Sequence, residues 1–159
     1  MTAIFPDAPL VFVETGPHRV AFLLSRVVQV LRMVELHPLP GAPAHCLGAL
    51  DLRGTMIPVV DLLLRLGAPK STLRPHERML VVTSGEGDVP TAWAVDQVLD
   101  IRSAAIAPPG ELSGQPVAKR LVEGFAVEGD ARVAILEPGV LAQNTHRSEL
   151  LRQLTGAAR

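Results

Sequence analysis

A chain of 159 residues, 48% hydrophobic and 19% charged, has ample apolar material for one compact unit and is poorly suited to disorder. Its formal net charge is −1, Lys70 and Lys119 are its only lysines, and its arginines are scattered, so a nucleic-acid partner is not expected. One cysteine, Cys46, excludes an internal disulfide, and no apolar run nears the roughly 18 to 20 residues that span a bilayer.

The opening residues lack a basic stretch followed by an apolar run, so a cytoplasmic protein with no signal peptide is expected. Leu10–Thr15 and Arg19–Leu24 flank Gly16-Pro17-His18 and read as a hairpin. Residues 26–34 are rich in valine, which suits a pleated strand. Strict alternation puts Val27, Gln29, Leu31 and Met33 on one face and Val28, Val30, Arg32 and Val34 on the other. Both faces are largely apolar, which predicts a strand packed between layers or lining a groove. Residues 37–43 hold Pro38, Pro40, Gly41 and Pro43 and are expected to join neither helix nor sheet interior.

Cys46–Leu52 and Met56–Val60 are two further strands around the turn Arg53-Gly54-Thr55. Asp61 is placed to cap a short helix over 62–66, stopped by Gly67 and Pro69. Arg78–Thr83 and Thr91–Asp96 form a hairpin across Gly85-Glu86-Gly87-Asp88, and Val98–Ile101 continues extended. A proline- and glycine-rich loop spans 107–116. Leu121–Val127 and Ala131–Leu136 pair across Glu128-Gly129-Asp130, and 138–154 reads as a terminal helix. Nine or ten short strands at this spacing predict an all-β, barrel-like fold in one domain, with no obvious repeat.

Catalytic chemistry finds little support. No pair of the five histidines has zinc-site spacing, so no metal is expected. His45 and Cys46 adjoin, but neighbouring strand residues point to opposite faces, and a small buried thiol is the simpler reading. Gly85-Glu86-Gly87 precedes a strand, whereas a phosphate-binding glycine loop needs a helix there. No cofactor is expected. A binding role remains, with a small hydrolase using His45 or Cys46 and a purely structural barrel as rivals. Arg53 stands out within it, because a guanidinium at a tight turn suits a carboxylate or carbonyls across a cleft. Gly48 and Gly54 are expected to serve a positive φ or a close approach of strands.

The spacing of several motifs resembles the CheW-like coupling proteins of bacterial chemotaxis. A V-x-x-V segment stands at Val27 to Val30 and a G-x-x-x-L-R-G turn at Gly48 to Gly54. P-V-x-D-L follows at Pro58 to Leu62, V-D-x-V at Val95 to Val98, a double proline at Pro108-Pro109, and Glu123-Gly124-Phe125 on a late strand. The likeness covers about residues 10–142.

It implies two intertwined SH3-like five-stranded β-barrels with short helices and a C-terminal helix. It also implies a non-enzymatic adaptor. The partners would be the regulatory domain of a CheA-type histidine kinase and the cytoplasmic tip of methyl-accepting chemoreceptors, within membrane-bound receptor arrays. Carried over by position, Val27, Ile101 and Met79 line a receptor-facing apolar cleft. Gly48 and Arg53 form a signal-sensitive turn, and Gly54, Pro58 and Asp61 are structural residues around it. Gln29 stands where the family commonly has glutamate, which implies a freer charge on Arg53, with Asp51 a second source of negative charge. An adaptor of a related pathway, controlling pilus motility, development or gene expression, is the alternative reading.

Overall fold

The structure, a computed structural model, describes residues 5–68, 76–83, 90–109 and 122–138. Among the described residues ten strands follow one another: β1 (Phe5–Thr15), β2 (His18–Leu23), β3 (Val27–Arg32), β4 (Cys46–Leu52), β5 (Thr55–Asp61), β6 (Arg78–Val82), β7 (Thr91–Val95), β8 (Gln97–Ala107), β9 (Val122–Glu128) and β10 (Ala131–Leu136). A 3-10 turn, Leu24–Arg26, joins β2 to β3, and one short helix, α1 (Leu62–Arg65), follows β5. The expected C-terminal helix lies outside the described residues beyond Pro138, as do the turn at 85–88 and most of the loop at 107–116.

The strands form two five-stranded units. β1-β2-β10-β9-β8 close into a barrel built from both ends of the chain, and the central strands form a sheet in the order β3-β6-β7-β5-β4. A single bridge, His37 to Ala49, brings the two edges of this sheet together through two hydrogen bonds of 2.8 Å. His37 therefore does pair, against the expectation for 37–43. It stands one residue ahead of Pro38, where the backbone still has its donor.

The two units repeat one topology, in line with the two five-stranded barrels that the family resemblance implied, although no repeat is legible in the sequence itself. In β4 and β5, Cys46 pairs with Val60 and Gly48 with Val59. In β9 and β10, Val122 pairs with Leu136 and Gly124 with Ile135, the same register and the same bulge shifted by a constant 76 residues. Likewise β3 on β6 (Val27↔Val82, Val30↔Leu80) matches β8 on β1 (Val98↔Val13, Ile101↔Val11). The parallel pairs β5–β7 and β2–β10 also correspond.

Three apolar clusters explain why several strands are apolar on both faces. Leu10, Phe12, Ala21, Ala126 and Ile135 fill the first barrel, and Leu50, Ile57, Val59, Met79 and Val81 fill the second. Val11, Val13, Phe22, Leu80, Val82 and Trp93 form a seam shared by both. Residues of β1 and β6 thus alternate between barrel interior and seam, so neither strand has a polar face. Over the Phe12 ring lie the guanidinium groups of Arg102 (4.2 Å) and Arg19 (5.0 Å), and both arginines bind Glu128.

Candidate functional site

A bulge decides which side chains reach the seam. In β3, Val27 pairs with Val82 and Gln29 with Val81, which leaves Val28 as the extra residue. Residues directly opposite share a face. Val27 and Val30 therefore look with Val82 and Leu80 toward the seam, while Gln29 and Leu31 look with Val81 and Met79 toward the second barrel's interior. Strict alternation had put Val27 and Gln29 together; the bulge flips the register and separates them. The same device recurs in β8, where Leu99 is extra, Val98 packs on the seam and Ile101 faces it opposite Val11.

Both ridges carry exposed apolar side chains. Val28 (54% exposed) matches Leu99 (39%), and Val30 (39%) matches Ile101 (56%). Four of the six large exposed hydrophobics among the described residues thus fall on two equivalent strands beside the seam, the kind of clustering that marks an interaction surface. The sequence picked out Val27 and Ile101 but missed Val28, Val30 and Leu99. Their signal was the bulge, which leaves no local trace.

Met79 needs correction. It is fully buried in the second barrel's interior, so it packs the core and presents nothing to a partner. Its position opposite Leu31 fixes this.

The turn after β4 is a two-residue hairpin in which Leu52 pairs with Thr55 and both central residues, Arg53 (φ 53°) and Gly54 (φ 86°), have positive φ, the type I′ pattern. Asp51 Oδ1 accepts the Gly54 N–H at 2.8 Å, so its carboxylate supports the turn. Arg53 is exposed and makes no hydrogen bond or ion pair among the described residues. Gln29 lies on β3 and Arg53 beyond β4, at opposite edges of the sheet order.

Gly48 has a backbone task. At φ 145° it lets β4 pass so close to the preceding segment that a Cβ would stand 2.7 Å from the His37 carbonyl oxygen. Pro58 does not sit in a turn but inside β5, opposite Ala49. It is tolerated because the ladder to β7 begins only at the next residue, Val59.

Asp61 caps α1 as expected, accepting the Leu64 N–H at 3.0 Å. It also meets a partner that the sequence did not suggest: His76 Nε2 lies 2.9 Å from its other oxygen, with both side chains buried. Burial pushes the Asp61 carboxyl up, but the hydrogen bond from His76, those from Leu64 and Leu63 and the His76 charge outweigh it, so its pKa falls below the ordinary value. A second missed residue is Asp96 of the V-D-x-V motif. It occupies the crossover from β7 to β8, where it accepts the Gly16 N–H at 2.9 Å and donates its own N–H to Glu14.

The Cys46 thiol donates to the Gly48 carbonyl at 3.7 Å, and burial, only partly opposed by the Gly48 backbone, pushes its pKa up, away from the thiolate a nucleophile needs. Among the described residues no group of three or more His, Cys, Asp or Glu side chains could hold a metal ion.

Comparisons with known proteins agree with this architecture. Protein FrzA of Myxococcus xanthus is 29% identical over 127 residues, covering 79% of this chain and 78% of that protein. The chemotaxis protein CheW of Bacillus subtilis is 26% identical over 98 residues, covering 56% and 62%. The crystal structure of the scaffolding protein TtCheW from Thermoanaerobacter tengcongensis superposes with a TM-score of 0.68 at 24% identity, covering 82% of this chain and 89% of that one. The CheW-like domain matches residues 9–144. With that span and two interlocked units of one topology, the chain belongs to the CheW-like family of chemotaxis coupling adaptors.

Proposed function

We propose that this chain is a non-enzymatic adaptor that couples a chemoreceptor's cytoplasmic tip to the regulatory domain of a CheA-type histidine kinase, in the cytoplasm at membrane-bound receptor arrays. The observation that carries the reading is the matched pair of apolar ridges, Val27-Val28-Val30 and Val98-Leu99-Ile101, flanking the seam. A receptor hairpin's apolar ridge suits such a surface, and helix-in-groove docking needs no catalytic group. Arg53 supplies a free cation on a rigid hairpin tip, which sets register and partner choice more than affinity. Gly48 serves this surface indirectly, by holding the hairpin's strand in place.

The test is calorimetric titration of the whole chain with the kinase regulatory domain and, separately, with a soluble receptor-tip hairpin. Saturable binding of both is expected. Val30→Asp and Ile101→Asp should abolish binding of the receptor hairpin, while Cys46→Ser leaves it unchanged. Absence of binding to either partner at high concentration overturns the reading.

The likeness to FrzA, a relative with a name of its own, supports a second reading. In it the same surfaces serve an adaptor of a chemosensory-like pathway for pilus motility, development or gene regulation. Binding to that pathway's kinase and not to the chemotaxis kinase would select it.

A further inference from the structure

The chain crosses between its two units twice, and the two crossovers are built differently. At the second, Asp96 bonds to Gly16 and Glu14, and the neighbouring Gln97 only reaches Glu14 at 3.5 Å on the exposed surface. Arg26 occupies the position equivalent to Gln97, one residue ahead of Val27 as Gln97 is ahead of Val98. Its carbonyl accepts the Thr83 N–H of the second unit at 2.8 Å. Its guanidinium reaches back to the first, 3.3 Å from Glu123 Oε2 and 3.9 Å from Glu137 Oε1. One residue thus grips both units.

The fold does not ask for this cluster. In the other half Gln97 stands at the position of Arg26 and Leu47 at that of Glu123, so the Arg26–Glu123 pair is not repeated, although Asp61 answers to Glu137. Two carboxylates share one guanidinium, and Glu123 Oε1 is buried with no hydrogen-bond partner. Among the described residues, the charged groups facing Glu123 are Arg26 from the crossover and Glu137 from the end of β10. Burial pushes Glu123 up, Arg26 opposes this, Glu137 adds to it, and the net direction is upward.

We propose that Arg26 is a positioning residue for the apolar ridge of β3, clamping the crossover to Glu123 and Glu137 so that Val27, Val28 and Val30 are held beside the seam. The ridge's role in docking rests on the function proposed above, whereas the clamp is a property of the chain alone.

The Thr83 amide, bonded to the Arg26 carbonyl, reports on the clamp, and the Asp96 amide, bonded to Glu14, reports on the other crossover. Hydrogen exchange of both is measured on the whole chain at one pH, corrected for intrinsic exchange. Arg26→Met opens Thr83 by about tenfold or more while Asp96 keeps its wild-type exchange, and Arg26→Lys restores most of the protection. The proposal is overturned if Arg26→Met leaves Thr83 as protected as in the wild type, or if Thr83 and Asp96 change together. Titration of the same proteins with the receptor-tip hairpin separates the two readings. Selective opening of Thr83 in Arg26→Met without hairpin binding by the wild type removes the docking role and keeps the clamp, and hairpin binding with Thr83 unchanged in Arg26→Met does the reverse.

Discussion

Gly48→Ala should be among the most damaging single-methyl additions to this protein. The new Cβ would stand 2.7 Å from the His37 carbonyl oxygen and 3.0 Å from Leu36 Cβ, at a φ of 145° that side chains rarely adopt. Holding alanine there costs about 1–3 kcal/mol. Relief of the backbone clash requires the His37–Ala49 bridge to part, with a loss of about 1 kcal/mol for each of its two hydrogen bonds. The total is about 3–5 kcal/mol, a large share of the ~5–15 kcal/mol by which a domain is stable. At roughly 2–4 °C per kcal/mol for a chain of this size, the melting temperature should fall by about 6–20 °C. Trp93, the single tryptophan and fully buried at the seam, makes urea unfolding readable by fluorescence. Two companion variants calibrate the effect. Gly54→Ala keeps a positive φ but meets nothing within 4 Å, so it should cost about 1–2 kcal/mol from backbone conformation alone. Gly124→Ala, at the equivalent place in the first barrel, meets the Ala107 carbonyl and Ile106 at 3.1 Å with no positive φ, and should cost about 1–3 kcal/mol as overpacking. If Gly48→Ala proves no worse than Gly54→Ala, the steric account of the bridge is wrong.

Met79→Ala and Ile101→Ala should part stability from docking. The first empties a fully enclosed site and should cost about 2–5 kcal/mol in urea while leaving the hairpin affinity of the folded fraction intact. The second should change stability by less than about 0.5 kcal/mol and weaken hairpin binding by roughly tenfold, and the opposite pattern would exchange their roles. Asp61→Asn keeps a capping oxygen but loses the carboxylate that His76 Nε2 contacts, at a cost of about 1.5–3 kcal/mol. Because the Asp61 pKa is lowered on folding, its stabilisation is present above the ordinary carboxylate value and is lost as pH falls through the lowered one. The acid limb of stability against pH should therefore be shallower in Asp61→Asn than in the wild type, and unchanged steepness would remove Asp61 from that limb.

The fold was legible where a residue's own chemistry dictates its geometry. Gly16-Pro17 and Arg53-Gly54 turn the chain because one or both central positions need positive φ, and Asp61 caps because its oxygen has a free amide three residues on. What stayed hidden was set by other strands. The His37–Ala49 bridge, the His76–Asp61 pair and the Arg26 cluster join residues distant in sequence, and nothing local announces them. The two bulges did the most harm to prediction. One unpaired valine, Val28, reverses every side chain after it, so a correct strand was given a wrong face at Val27. Met79 failed for a related reason, since an apolar residue on a strand buried on both sides reads the same whether it faces core or groove.

The duplication turns these gaps into a tool, because a position demanded by the fold should be filled alike in both halves. The first central residue of the hairpin after β4 is Arg53 at φ 53°, and its counterpart after β9 is Gly129 at φ 58°. Glycine takes this conformation freely, whereas a side chain pays about 1–2 kcal/mol. Arginine thus stands where folding alone favours glycine, which points to a role outside the fold. Arg53→Gly should be as stable as the wild type or more stable by up to about 1 kcal/mol, the gain being trimmed by roughly 0.4–1 kcal/mol of extra freedom in the unfolded chain. It should also lose affinity for the partner and part of the salt dependence of binding. Urea unfolding followed by Trp93 and calorimetry at two salt concentrations measure both. A variant clearly less stable than the wild type, with partner affinity unchanged, would make Arg53 a structural residue of the turn and move the search for the polar determinant elsewhere on the surface.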